Sequence, residues 1–277
     1  VVGRRSDGYH ELESLFLPLE LADEVSLDLD EATATRVVLE LAGEADGVPD
    51  DAENLAVRAG LGFLEAAGLR RALRIRLLKR VPAAAGLGGG SSDAGAVLRG
   101  LAGLLPDALE PAALTRLAAT LGADVPFFLD PRPALVSGIG EHCEPLPGPW
   151  PARILLLANP GVQLSTKRVY EAFDASGPAA SPSGLRRRLE AVRAAPADGR
   201  ALADLLANDL EPAALGLCPA IAGLRERLRD AGALAVGMSG SGPTVFGVFG
   251  GEPEADRALA GLTAPAWARV ARTRESR

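Results

Sequence analysis

Up to Leu78 the apolar side chains fall mostly at alternate positions. Leu15, Leu17 and Leu19 follow period two, as do Val25, Leu27 and Leu29, and Val37–Leu41 continues the pattern. Such alternation predicts half-buried strands. The period then changes. Asn54–Ala67 reads as a helix with Leu55, Ala59, Gly62 and Ala66 on one stripe and Gly68 as its stop, and Leu73–Leu78 returns to strand.

After Val81-Pro82 comes Ala83-Ala84-Ala85-Gly86-Leu87-Gly88-Gly89-Gly90-Ser91-Ser92, followed by an Ala/Leu-rich helix to about Leu105. A second helix spans Pro111–Leu121 and stops at Gly122. The segment Asp124–Leu129 and two strands, Ala134–Ser137 and His142–Leu146, follow. Proline and glycine punctuate 145–151, which therefore reads as a domain boundary dividing residues 1–149 from 150–277. Beyond it, Arg153–Ala158 predicts a buried strand, and helices are expected at Thr166–Phe173, Gly184–Arg193, Ala207–Gly216 and Pro219–Ala231. Strands Leu234–Met238 and Thr244–Val248, a helix over Pro253–Leu262 and a last strand over Ala266–Thr273 complete the chain. That order predicts a split α+β sandwich rather than a doubly wound parallel sheet. Ser176–Ser183, rich in Ala, Pro and Ser, reads as a loop, and no internal repeat is visible.

Composition narrows the function classes. The 277 residues are 48% hydrophobic and 23% charged, near the globular average, so a fibrous or disordered chain is not expected. A net charge of −7 argues against a nucleic-acid surface, which needs a basic face. The longest purely apolar run, Ile154–Ala158, is far too short to span a bilayer. Cys143 and Cys218 have no metal-spaced partners, and His10 and His142 are the sole histidines, so neither a zinc site nor a disulfide framework follows. A reducing, cytoplasmic compartment fits this cysteine usage. The sequence begins Val1-Val2-Gly3 rather than with Met, so the expectation is that residues precede it in the gene product.

The loop from Gly86 to Ser92 is the strongest chemical signal. Glycines let backbone N–H groups curl around an anion, and the following helix turns its positive dipole end to the same spot. Ser91 and Ser92 can cap that helix or donate hydroxyls to a phosphate. No Gly-Lys-Ser/Thr follows, so this is not a P-loop, and Ser91 occupies the third position of the dinucleotide fingerprint. A bare structural turn is the other reading. The second glycine turn, Gly237–Pro243, is either a hairpin connection or a second backbone surface for ligand. Asp124 either caps the next turn or, beside a phosphate site, accepts a proton from an attacking hydroxyl. Gly3–Leu12 gathers arginines, Tyr9 and His10 in a turn before a strand, a mixture that could stack a base or simply pack at a rim.

Together these segments resemble the GHMP kinase superfamily. Pro82–Ser92 is similar to its phosphate-binding signature, Leu121-Gly-Ala-Asp-Val-Pro126 to the segment bearing its catalytic Asp, and Gly237–Phe246 to its C-terminal glycine motif. Gly3–Leu12 and Asn208-Asp-Leu-Glu211 resemble members that phosphorylate a cytidine-diphosphate-linked methylerythritol on the non-mevalonate isoprenoid pathway. The resemblance implies an α+β fold of two domains, the first ribosomal-protein-S5-domain-2-like and the second ferredoxin-like, in a monomer or homodimer. It implies ATP and Mg2+ as cofactor and metal, Asp124 as catalytic base, and Pro82, Ala83, Ala84, Ala85, Gly86, Leu87, Gly88, Gly89, Gly90, Ser91 and Ser92 around the ATP phosphates, with Asn54 nearby. Tyr9 and His10 would hold the cytidine end, with Thr166 and Tyr170 facing the substrate from the second domain. The family also carries a Pro-x-Lys-x-Asn segment on a preceding strand. This sequence starts after that point, and neither Lys79 nor Lys167 matches its lysine. A homoserine- or mevalonate-type kinase and a non-catalytic nucleotide-binding paralogue remain alternatives.

Overall fold

The structure, a computed structural model, describes residues 1–177, 184–263 and 265–275. Of the expected Ser176–Ser183 loop, residues 178–183 lie outside the described residues. The chain opens with a short hairpin, β1 (Gly3–Arg4) and β2 (His10–Phe16), in which Arg4 pairs with His10. Next come β3 (Glu24–Glu31), β4 (Arg36–Gly43), α1 (Leu55–Ala66), β5 (Arg71–Lys79), α2 (Gly89–Leu104) and α3 (Pro111–Leu121). A 3-10 turn over Pro126–Leu129 leads into β6 (Ala134–Gly138) and β7 (His142–Pro145).

Two sheets form from these strands. One has the order β1-β2-β6-β7 and the other β3-β5-β4, with β3 antiparallel and β4 parallel to the central β5. Alternation along β5 buries Leu73, Ile75 and Leu77, the first two in the core shared with α1 and α2, while Arg74 and Arg76 face water beside Glu40 and Asp28. The face that α1 buries differs from the expected stripe. Ala56, Ala59, Gly60, Phe63 and Leu64 point inward, and Ala66 is exposed. Burying Phe63 and Leu64 removes far more apolar area from water than burying Gly62 and Ala66, so the larger side chains set the helix rotation.

The second half holds β8 (Ile154–Asn159), α4 (Thr166–Ala175), α5 (Leu185–Ala194), α6 (Gly199–Leu205), α7 (Glu211–Leu217), α8 (Ala220–Asp230), β9 (Ala235–Met238), β10 (Val245–Phe249), α9 (Glu252–Gly261) and β11 (Trp267–Arg272). Its sheet runs β11-β8-β10-β9 with every pair antiparallel, the split sandwich that the element order predicted. β8 is buried on both faces. Leu156 and Ala158 pack under α7 and α8, whereas Leu155 and Leu157 meet Leu189, Val192, Leu202 and Leu205. Leu15, Leu17, Leu135 and Trp150 join this second cluster, so the Pro-rich stretch before β8 crosses a packed interface.

Two helical boundaries depart from the sequence pattern. α6 lies where no helix was expected, started by Asp198, whose carboxylate accepts from the amides of Arg200 and Ala201. α7 begins at Glu211 rather than Ala207, because Asn208 turns its side chain to other backbone groups and accepts from the Leu210 amide at 3.0 Å.

Candidate active site

β5 delivers the chain into the glycine loop, where Ala84, Gly86 and Gly88 take φ values of +52°, +74° and +70°. Gly88 is the N-cap of α2 and has no side chain with which to bond the first helical amides. Those amides have no partner within the helix, so they and the positive dipole end are left to a ligand. Ser91 and Ser92 do not cap the helix. α2 starts at Gly89, with Ser91 and Ser92 inside its opening turns.

The absence of a Cβ at Gly86 has a direct use. A Cβ there would lie 2.5 Å from the Gly242 carbonyl oxygen and 3.1 Å from that of Ser239. The second glycine turn, joining β9 to β10, therefore sits directly on the first loop. Its Gly240 and Gly242 hold φ of +55° and +83°, so the hairpin reading is correct and the close approach is real as well. The Ser239 hydroxyl donates to the Gly86 carbonyl at 2.7 Å. Asn208 supports the turn from beneath, its amide donating to the Met238 and Gly240 carbonyls at 3.0 and 2.8 Å. Thr166, at the start of α4, shares a hydroxyl hydrogen bond of 2.9 Å with Ser241. Four segments distant in sequence thus converge on one spot.

Asp124 lies between α3 and the 3-10 turn, and it caps neither. The N-cap of that turn is Val125, without a side-chain bond, and among the described residues the Asp124 carboxylate makes no hydrogen bond or ion pair. Burial alone pushes its pKa above the ordinary carboxylate value of 3.8. The turn that follows packs on the loop. A Cβ at Gly88 would be 3.1 Å from the Phe128 ring, and one at Gly95, on α2, 2.5 Å from Phe128 Cβ. The Asp124 charge also reaches the second half, where burial and this carboxylate push the Tyr170 phenol up to about 12.

The Tyr9–His10 pair divides its work. The Tyr9 side chain projects into solvent, 60% exposed, leaving its ring free to stack. His10 is enclosed by α4, stacked on Tyr170 with ring centroids 4.7 Å apart and edge-on to Phe173. Its Nε2 lies 2.7 Å from Asp174 Oδ1, and Arg4 pairs with the other oxygen at 3.3 Å. Asp174 escaped sequence reasoning because it meets His10 across 164 residues. The signal available was one acidic residue a helical turn beyond Tyr170.

Asn54 is committed locally. Its Oδ1 accepts from the Ala56 amide at 2.9 Å and its Nδ2 donates to the Pro49 carbonyl at 2.7 Å, so it caps α1. It remains a neighbour of the loop through Leu55, which a Cβ at Gly90 would touch at 3.6 Å. Pro82 and Ala83 are half-buried and Ala85 is buried, while Leu87 packs toward the shared core. Lys79 is sealed under the loop between Asp23 and Asp93, and Lys167 lies at the surface 3.9 Å from Glu171.

Uncapped amides at the start of α2, a second turn closing over them and an unpaired, half-buried carboxylate on the adjoining segment form the arrangement that a small-molecule phosphotransferase requires. The chain matches the GHMP kinases N terminal domain over residues 54–130 and the GHMP kinases C terminal domain over residues 189–266. It is 40% identical over 266 residues to a "4-diphosphocytidyl-2-C-methyl-D-erythritol kinase" of Geobacter metallireducens, an alignment covering 95% of this chain and 89% of that one. A solved "4-(cytidine 5'-diphospho)-2C-methyl-D-erythritol kinase" superposes with a TM-score of 0.81 at 39% identity, covering 99% of this chain and 94% of the other. A mevalonate kinase of L. major, 14% identical, shares the fold with a TM-score of 0.73 over 96% of this chain and 90% of its own. The chain belongs to the GHMP kinases and, within them, to the family of 4-diphosphocytidyl-2-C-methyl-D-erythritol kinases. No helix among the described residues is long and apolar enough to cross a membrane.

Proposed function

We propose that the chain transfers the γ-phosphoryl group of ATP to the 2-hydroxyl of 4-diphosphocytidyl-2-C-methyl-D-erythritol, a step in making isoprenoid precursors by the non-mevalonate route. The observation that carries this reading is the docking of one glycine turn on the other at Gly86, above an α2 terminus that no side chain caps. The Pro82–Ser92 loop holds the nucleotide phosphates through the backbone N–H groups left free within it, which explains how a chain of net charge −7 binds two anionic ligands. The Asp124 carboxylate takes the hydroxyl proton as that oxygen bonds to the γ-phosphorus. The bond to the β,γ-bridging oxygen breaks and ADP leaves. Burial makes Asp124 a stronger base than an exposed aspartate, closer to the pH at which it must work.

In this reading residues 1–149 bind ATP, and residues 150–277 close over the acceptor through Thr166 and Tyr170. Tyr9 stacks on the cytosine, and His10, fixed by Asp174, hydrogen-bonds it. Among the described residues no group of three or more His, Cys, Asp or Glu is gathered to hold a metal. Mg2+ would be held beside the nucleotide phosphates by the Ser91 or Ser92 hydroxyl at the start of α2, where it would supply charge neutralisation. The unpaired Cys143 and Cys218 agree with a cytoplasmic enzyme.

The test incubates the chain with ATP and the cytidine-diphosphate substrate and follows ADP release and the new phosphate ester by phosphorus NMR. Homoserine and mevalonate serve as competing acceptors. Phosphorylation of the cytidine substrate alone is expected. ATP binding without transfer to any acceptor overturns the reading in favour of a nucleotide-binding protein without turnover.

A further inference from the structure

Beneath the glycine loop lies a charged cluster to which the reaction above gives no part. The Lys79 ammonium donates to Asp23 Oδ2 at 2.5 Å and to Asp93 Oδ2 at 2.8 Å, and all three side chains are 4% exposed or less. The other oxygen of Asp23 accepts from the Arg80 and Val81 amides at 2.6 and 2.9 Å. Those amides belong to the chain as it leaves β5 for the loop, and Asp93 belongs to α2, into which the loop runs. Both ends of the loop are therefore fastened to one ammonium. The fit is close at the helix start as well. A Cβ at Gly89 would be 3.3 Å from Val81 Cγ1 and 3.5 Å from Lys79 Nζ.

Two facts make this more than a packing detail. Burying three ionisable groups is a poor way to gain stability, since desolvation consumes most of the attraction between them. The loop itself is conformationally expensive. Ala84 holds a left-handed φ of +52° two residues before Gly86, and for a residue with a Cβ such a conformation persists only where its surroundings over-determine it. A loop of that kind, free at either end, would relax and scatter its amides. Fastened at both, it keeps them converged before any ligand arrives.

We propose that Asp23, Lys79 and Asp93 are positioning residues for the nucleotide: they clasp both ends of the glycine loop and so set its affinity for phosphate without touching the ligand. The inference rests on the reading of this loop as the nucleotide-phosphate site.

The experiment measures ADP binding by calorimetry, the KM values for ATP and for the acceptor, and the melting temperature of Asp23→Asn and Asp93→Asn. Asp23→Asn removes the charge but keeps the size, and it should weaken ADP binding and raise the KM for ATP by about tenfold, as for loss of one charge-assisted hydrogen bond. The acceptor KM should stay within about twofold of its starting value, since its contacts lie elsewhere. In Asp93→Asn the amide oxygen still accepts from Lys79, so its nucleotide affinity should fall by only about threefold. A merely structural role gives a different pattern: fewer active molecules, a lower kcat and both KM values unchanged. That pattern, or equal changes in both KM values, overturns the proposal. Should Asp23→Asn not fold, Asp93→Asn decides, and unaltered ADP affinity there overturns it. Failure of the unsubstituted chain to bind ADP overturns instead the phosphate-site reading beneath it.

Discussion

The Ser239 hydroxyl donates to the carbonyl oxygen of Gly86 at 2.7 Å, joining two glycine turns that lie 153 residues apart. One turn opens α2 and the other connects β9 to β10, so this bond ties the halves of the molecule together at the start of α2. Neither turn alone distinguishes a ligand surface from a chain reversal. Their contact shows that the glycine at Gly86 serves the close approach of the two turns and not merely the bend.

Gly86→Ala tests that contact. The new Cβ would stand 2.5 Å from a backbone carbonyl, at a φ of +74° that side chains rarely adopt. Since neither backbone can yield cheaply, the second turn should lift off the first. The expected result is a loss of kcat/KM of about a hundredfold with a destabilisation of about 1–3 kcal/mol, because the core lies away from the turn. Steady-state assay with urea denaturation of the same preparation measures both.

Asp124→Asn should lower kcat by about a hundredfold or more while ADP affinity holds. The carboxylate makes no bond within the described chain, so its removal leaves no partner stranded and the fold intact. Its pKa is raised by burial, and the base works only when ionised. Activity of the unsubstituted enzyme should therefore climb with pH through a value above the ordinary 3.8, and the substituted enzyme should lack that limb. A pH profile of kcat/KM for both proteins gives the answer.

What the sequence made legible was local. Period two in Val25–Leu29 and Leu73–Leu78 marks β3 and β5, and glycine clusters mark both turns. Asp124 and Tyr9–His10 stood out through the residues beside them. What stayed hidden was pairing at a distance. Asp23 reads as an ordinary loop aspartate until Lys79, 56 residues on, is folded over it, and the one cue to Asp174, its place a helical turn beyond Tyr170, does not point to His10. The stripe along α1 was misread for a related reason. Its small residues fit several helical faces, and only the sheet beneath decides that Phe63 and Leu64 turn inward.

Asp174→Ala should act on the acceptor and spare the nucleotide. His10 is held by a 2.7 Å contact to Asp174 and by stacking on Tyr170, and the first of these orients the ring. Without the carboxylate the imidazole keeps its stack but loses its fixed tautomer and rotation. A rise of about tenfold in the acceptor KM is expected with the ATP KM unchanged, as for loss of one oriented hydrogen bond. Equal effects on both substrates would show that Asp174 serves the fold in general and not the ring.

Asp93 gives stability a pH dependence of unusual sign for an aspartate. Its carboxyl is pushed up to about 7 by burial, which outweighs the attraction of Lys79, and the Asp23 charge adds to the rise. One Oδ has no hydrogen-bond partner, as expected where two carboxylates share a single ammonium. Because the folded-state pKa lies above the unfolded value of 3.8, the native state holds more protons between the two. This contribution is complete below the unfolded pKa and is lost as pH rises through the folded one. Asp93→Asn removes the titration, keeps an acceptor for Lys79 and leaves that ammonium balanced by Asp23. The stability of Asp93→Asn relative to the unsubstituted chain should therefore improve by on the order of 2 kcal/mol between pH 5 and pH 8. Asp23, whose pKa burial raises but the Arg80 and Val81 amides and Lys79 bring below 3.8, stays ionised across this range in both proteins. Urea midpoints at the two pH values supply the measurement, and a gap that fails to widen would show that Asp93 stays ionised. A variant more stable at pH 8 yet weaker for ADP would be the expected signature of a group kept for the loop rather than for the fold.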